Sequence, residues 1–274
     1  MRIANQRRAK IVEASKVHER VNAQFGPTAA AYSRSLVHSD PAALRNAVEL
    51  ARPKPGDMAL DIATGAGHMA LALAPHVTKV IAYDMTKEML LEAKGNAVRR
   101  GLTNVITKKG IAENLPFPDS TFDIVTVRHA PHHFANVTVA IREMARVAKI
   151  GARLVIVDST SPENASLDRQ WNRLEKLRDP SHVRNYRPSE WRAIVASAGL
   201  HIFFEEVDFC TENGRPMNFA AWTQRMNTPP EAVYNLAELF RNAGPALVQA
   251  LRIQSIGDEL LFCVPQISIG AVKQ

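Results

Sequence analysis

Asp61 and Asp84 lie 23 residues apart, each near the end of an apolar run, with the turn Gly65-Ala-Gly67 between them. A buried strand, a glycine turn, a helix and a second strand fit that spacing, and such a unit places the second carboxylate beside a ribose. Glycine at 65 and 67 permits positive φ and lets the backbone approach a ligand closely. The helix that starts at about His68 leaves free N–H groups aimed into the same crevice.

Gly65-x-Gly67-x-x-Ala70 also fits a dinucleotide fingerprint, and Asp61, four residues before the first glycine, separates the two readings. A carboxylate there would repel a pyrophosphate. It suits a phosphate-free adenosine ligand with a positive centre, and S-adenosylmethionine, with S-adenosylhomocysteine as its product, has that character.

Leu60-Asp-Ile-Ala-Thr-Gly-Ala-Gly67, Asp84-Met-Thr-Lys-Glu-Met-Leu90, Ala112-Glu-Asn-Leu-Pro-Phe117, Phe122-Asp-Ile-Val125 and Arg142-Glu-Met-Ala-Arg-Val147, followed by Gly151, form an ordered series. In order and spacing it resembles the class I S-adenosylmethionine-dependent methyltransferases, closest to the ubiquinone/menaquinone-biosynthesis and small-molecule enzymes. The resemblance implies that Asp61 and the backbone at Ala63, Gly65 and Gly67 hold the methionine end of the cofactor. It implies that Asp84 takes the ribose hydroxyls, that Met85 packs on the adenine, and that Ala112 and Glu113 meet the adenine edge. Phe25-Gly-Pro-Thr-Ala-Ala-Ala-Tyr-Ser33 resembles the family's N-terminal lid, which makes Tyr32 either a cofactor contact or a packing residue. Ile111 stands where many relatives carry an acid for the adenine amino group.

Methyl transfer from a sulfonium is an in-line displacement that asks mainly for alignment and exclusion of water. A base is needed only when the nucleophile arrives protonated. Arg128-His-Ala-Pro-His-His-Phe134 follows the fourth strand, at the floor of the family's reaction centre. His132 and His133 have the proton affinity of a base near neutrality, or else pack beside the cofactor. Arg128 suits a cofactor or substrate carboxylate, or a strand cap. Asp158, His182, Arg184 and Tyr186 are further substrate-facing candidates. No metal-ligand spacing is visible.

The elements that must position these groups alternate. Strands are expected near 58–62, 79–84, 104–109, 122–128 and 153–158, with helices near 67–75, 86–100, 138–149 and 188–198. This predicts an α/β fold, a doubly wound, mostly parallel seven-stranded sheet with right-handed crossovers. A helical arm and lid occupy 1–50 and a cofactor-binding core 51–209. A helical cap at 210–256, with helices near 216–227 and 230–252, is inserted before a last strand in 257–274, read at Asp258–Pro265. Phe219, Trp222, Met226 and Leu236 line a pocket there or form its core, and the cap offers a surface for a homodimer.

The 274 residues carry a net charge of +7, and residues 1–20 alone hold six basic and two acidic residues. Aromatics make up only 6% of the chain, and basic stretches interleaved with them are absent, which argues against a nucleic-acid partner. No apolar run approaches the ~18 residues that span a bilayer. Cys210 and Cys263 fit no ligand pattern, so two free thiols in a reducing cytoplasm are expected. The reading is a methyltransferase acting on carbon, oxygen or nitrogen of a small organic acceptor. The alternatives are an RNA methyltransferase and a cofactor-binding sensor without turnover.

Overall fold

The computed structural model describes residues 2–35, 38–208, 210 and 215–274, with side chains from Val12 onward. Helices α1 (Arg2–Phe25), α2 (Ala29–Ser33) and α3 (Pro41–Ala51) precede β1 (Met58–Ile62). The Asp40 carboxylate caps α3 by accepting from Ala43 N at 2.7 Å, with Pro41 in the first turn. Then α4 (His68–Leu73), β2 (Lys79–Asp84), α5 (Lys87–Arg99), β3 (Val105–Lys109), β4 (Phe122–Arg128), α6 (Val137–Val147) and β5 (Ala148–Ser159) alternate.

After β5 come α7 (Ala165–Arg178), α8 (Pro188–Ser197) and β6 (Leu200–Asp208). The cap holds β7 (Met217–Asn218), α9 (Phe219–Arg225), α10 (Pro230–Arg241), α11 (Pro245–Leu251), β8 (Gln254–Ile256) and β9 (Glu259–Phe262), and β10 (Gln266–Lys273) ends the chain.

The main sheet has seven strands in the order β3-β2-β1-β4-β5-β10-β6. Strands β1 to β5 pair in parallel, and β10 runs antiparallel to both β5 and β6. Leu60 in β1 faces Ile81 on one side and Val125 on the other, and the strand order turns round at this boundary. Crevice ligands of open α/β sheets bind beyond the strand C-termini at such a point. Helices cover both faces, so β1 is apolar at nearly every position and fully buried from Ala59. Trp191 and Met144 fill one face, Met69 and Leu73 the other.

Three expectations are corrected. The last sheet strand is β10, not Asp258–Pro265: β9 instead pairs with β7 and β8 in a separate three-stranded sheet under the cap. Pro265 closes the upstream run, and β10, where no strand was expected, begins just after it. The helix expected over 230–252 breaks into α10 and α11 at Gly244-Pro245, where the proline ring suits only a helix start. Cys210 and Cys263 are not free thiols: they form a disulfide, because the fold lays residue 210 beside the end of β9. Helix α7, for which no expectation was drawn, packs against the cap through Trp171, Leu174, Trp222 and Phe262. Among the described residues no helix is long and apolar enough to cross a membrane.

Candidate active site

The turn after β1 is held by Asp61. Its carboxylate accepts from Thr64 Oγ1 at 2.5 Å, Thr126 Oγ1 at 2.7 Å and Ala70 N in the first turn of α4 at 3.1 Å. Burial pushes its carboxyl up to about 6, against these hydrogen bonds and the charge of Arg128. Asp61 lines the crevice, but its oxygens already serve the turn and the start of α4.

Ala63 and Gly65 adopt left-handed backbone, with φ of 50° and 54°. A methyl group at Gly65 would meet only Met89 Sδ, at 3.9 Å, so the glycine answers a dihedral requirement more than a spatial one. Gly65→Ala is expected to keep S-adenosylhomocysteine binding while losing about 1–2 kcal/mol of stability to the left-handed conformation. Gly65→Val, with a branch reaching into the crevice, is expected to lose binding. Calorimetry beside thermal melts separates the two. Gly67, expected as a cofactor contact, does not line the cavity. A Cβ there would lie 3.0 Å from that of Ala93, so it lets α5 approach the turn.

Asp84 closes β2. Its two oxygens accept from Gly65 N at 2.9 Å and Thr86 N at 2.8 Å, which ties the second acid to the glycine turn. Burial raises its carboxyl above the usual range, opposed by these backbone donors. Between Asp61 and Asp84 opens a cavity. Met85, Met89, Ile111 and Ala112 supply apolar wall, and Glu113 stands at one side, 3.4 Å from His18 Nε2.

The lid closes the opposite side. Tyr32 from α2 lines the cavity, its hydroxyl 3.1 Å from Met226 Sδ in the cap and its carbonyl 3.1 Å from His68 Nε2. Burial pushes the Tyr32 phenol up to about 12, so it stays neutral. Arg128 donates to the His38 carbonyl at 2.8 Å, and burial draws its guanidinium down to about 10 against the pull of Asp61 and Asp40. An apolar slot between two buried carboxylates, with no phosphate-binding loop, fits S-adenosylmethionine. Asp84, Met85, Ile111, Ala112, Ala63 and Gly65 all line this slot.

A second, open cleft lies alongside. Phe25, Tyr32, His38, Arg128, His129 and His133 line both spaces and form the partition between them. Trp222 and Met226 of the cap line this cleft, Trp222 also belonging with Phe219 and Leu236 to the cap core. His132 opens on the cleft alone, His133 on both spaces. His38 and His129 escaped the sequence reading. The signal for His129 was its place inside Arg128-His-Ala-Pro-His-His133. His38 lies far from any motif and reaches the site only through the lid.

The last turn before α6, Pro131–His133, is fixed from two sides. Asp158, fully buried at the end of β5, accepts from His132 N at 2.9 Å and lies 2.6 Å from His132 Nδ1. The His132 carbonyl accepts from Val183 N at 2.8 Å. His133 lies 3.2 Å from Ser181 Oγ and 3.8 Å from Asp179. Burial drives His133 down to about 3, with the charge of His132 adding to it against Asp179, so His133 is neutral at any ordinary pH. His182 contacts Asn172 at 3.2 Å, while Arg184 pairs with Asp168 and Glu190, each at 3.0 Å.

This fold and this paired arrangement of carboxylates suit a nucleoside-binding α/β domain. Residues 60–156 match the methyltransferase-domain family model. The uncharacterized methyltransferase YcgJ of Bacillus subtilis is 35% identical over 252 residues, covering 91% of this chain and 98% of its own. The chain belongs to the class I S-adenosylmethionine-dependent methyltransferases. The crystal structure of YcgJ superposes with a TM-score of 0.79 over 85% of this chain and 98% of that one. The uncharacterized protein YafE of Escherichia coli is 37% identical over 67% of this chain and 86% of its own. A ubiquinone/menaquinone biosynthesis C-methyltransferase, UbiE of Teredinibacter turnerae, is 33% identical over 46% of this chain and 52% of its own.

Proposed function

We propose that the open cleft holds a small organic acceptor and that a methyl group passes to it across the partition. The observation that carries this reading is the set of residues, Tyr32, Arg128, His129 and His133 among them, that line both spaces at once. The likeness to UbiE adds support for a carbon atom as the methylated position, and the aromatic and thioether groups of Phe25, Trp222 and Met226 suit an apolar acceptor.

When bound, the cofactor supplies an electrophilic methyl group whose leaving sulfur needs no proton. The chain supplies the rest. Asp84, Met85, Ala112 and Glu113 hold the nucleoside end, and Ala63 and Gly65 the amino-acid end. Asp61 keeps the turn in shape and adds negative potential. Tyr32 and Phe25 from the lid shut out water, and Arg128 fastens the lid to the end of β4. Incubation with methyl-labelled S-adenosylmethionine and a fractionated metabolite extract tests the reading. Label in the small-molecule fraction supports it, label in RNA favours the nucleic-acid alternative, and cofactor binding without transferred label favours a sensor.

We place the chain in the cytoplasm, where this cofactor is made. Cell fractionation is expected to recover the chain with cytoplasmic enzymes, and recovery in a membrane or extracytoplasmic fraction would overturn that placement. A second copy would seat on the exposed side of α10 that carries Tyr234, and a monomer mass by light scattering would remove that contact.

A further inference from the structure

His132 and His133 adjoin in sequence and their rings lie 4.1 Å apart, yet their surroundings differ. His132 has its Nδ1 at 2.6 Å from the buried Asp158 carboxylate, which also takes its backbone N–H. An imidazole so held donates from Nδ1, which leaves Nε2 with a lone pair. His132 opens only on the acceptor cleft, away from the cofactor cavity. Its carbonyl is pinned by Val183 N and Arg184 N, so the turn cannot swing the ring aside.

We propose that His132, oriented by Asp158, is the base that takes a proton from the acceptor, and that the enzyme therefore uses acceptors whose nucleophilic atom arrives protonated. The inference rests on the reading of the open cleft as the acceptor site. In the step, the acceptor's X–H bond breaks and its proton forms the Nε2–H bond of an imidazolium stabilised by Asp158. The electron pair left on the acceptor forms the new bond to the methyl carbon. The carbon–sulfur bond breaks in the same event, its pair stays on sulfur, and the imidazolium later returns the proton to water in the open cleft. Asp158 touches neither substrate nor cofactor and is a positioning residue.

The groups facing His132 come from every side. His133 and His129 belong to its own segment, Asp158 to β5, Glu175 to α7, Asp179 and His182 to the loop that follows, and His38 to the lid. Burial pulls His132 down, but Asp158, by charge and hydrogen bond, and then Glu175 and Asp179 outweigh it, so its affinity for protons is raised. Burial holds His38, His129 and His182 well below the ordinary imidazole range, so none of them competes for the proton. A base must be unprotonated to act. The acid limb of the reaction therefore falls above the ordinary imidazole value and moves to lower pH when Asp158 loses its charge.

The test uses the full chain with labelled histidines. The His132 resonance, assigned by its loss in His132→Gln, is expected to titrate above a free imidazole and to shift down by about one pH unit or more in Asp158→Asn. 4-Nitrophenol, which turns yellow on losing its proton, is then added to excess protein at the midpoint of the His132 titration, and its absorbance is read against free 4-nitrophenol in the same buffer. Wild type is expected to generate phenolate absorbance, and His132→Gln to lose about nine-tenths of it, one pH unit's worth of driving force. If Asp158→Asn does not fold, His132→Gln still decides.

A His132 that titrates at or below the free imidazole, no phenolate with wild type, or undiminished phenolate with His132→Gln each overturns the proposal. Calorimetry with S-adenosylhomocysteine on the same samples reads the cofactor site separately. Cofactor binding without phenolate sinks the base and leaves the methyltransfer reading intact, whereas loss of cofactor binding in wild type sinks that reading itself.

Discussion

Asp84→Asn is expected to weaken S-adenosylhomocysteine binding by roughly 10- to 150-fold while the protein stays folded. Charge-assisted hydrogen bonds contribute about 1.5–3 kcal/mol, and that range sets the factor. The carboxylate is buried, and burial raises its affinity for protons despite the donors Gly65 N and Thr86 N. A carboxyl whose folded value is raised makes ionisation a cost to folding at neutral pH, a cost relieved as pH falls through that raised value. Asparagine removes the cost but satisfies only one of the two backbone donors well, so the two effects on stability oppose. The melting temperature should move by no more than about 2–4 °C, the equivalent of about 1 kcal/mol in a chain of this size. Calorimetry and melting on one preparation check both halves. Retained affinity, or lost affinity with a collapsed melting temperature, would remove Asp84 from the role of ribose ligand.

The crevice between β1 and β2 was legible because its determinants are local. An apolar run, a turn needing positive φ and a helix start sit within fifteen residues of one another, and β2 repeats the apolar run with its own terminal acid. The sequence could not divide labour between two glycines of one motif. Gly65 needs its dihedral, while Gly67 needs the absence of a Cβ against Ala93, a residue of another helix. The same holds for His132 and His133. Their difference lies in Asp158 and Asp179, which reach them from different elements, so no local pattern separates them.

Helix α7 did leave a trace: the Asn164 cap followed by Leu167, Trp171 and Leu174 at helical spacing. The charged residues around them masked it. β10 was hidden differently. Ile267, Ile269 and Ala271 alternate as a strand should, but β9 lies just upstream and offers an equally apolar run. Only the long-range pairing of β10 with β5 and β6 chooses between them. The disulfide belongs to the same class of fact, since its two cysteines are 53 residues apart and meet only once the cap has folded.

A substitution outside the two acids is expected to be as damaging as Asp84→Asn, and for a purely steric reason. In Gly110→Ala the added Cβ would sit on the hydroxyl of Tyr83, 2.5 Å from its Cζ and 3.0 Å from its Cε2. Tyr83 cannot step aside easily. It is 1% exposed, it stands edge-on to Phe117 at 5.6 Å between ring centres, and its hydroxyl donates to the Ile111 carbonyl at 3.2 Å. Burial pushes the phenol up to about 12, so it remains a donor throughout the working range of pH. The strain must therefore go into the backbone of 110–112, which forms one wall of the cofactor cavity.

Overpacking of this kind costs about 1–3 kcal/mol or more. In a chain of this length that corresponds to a loss of about 2–4 °C in melting temperature per kcal/mol, and affinity for S-adenosylhomocysteine should fall with it. Gly56→Ala is the matched control, since a Cβ there meets nothing within 4 Å. Adding Tyr83→Phe to Gly110→Ala removes the closest clash and forfeits one hydrogen bond, so the double variant should regain part of the lost stability. A Gly110→Ala protein that melts and binds like Gly56→Ala would mean that the Tyr83 ring has freedom its packing denies, and that this wall of the cavity is softer than its contacts imply.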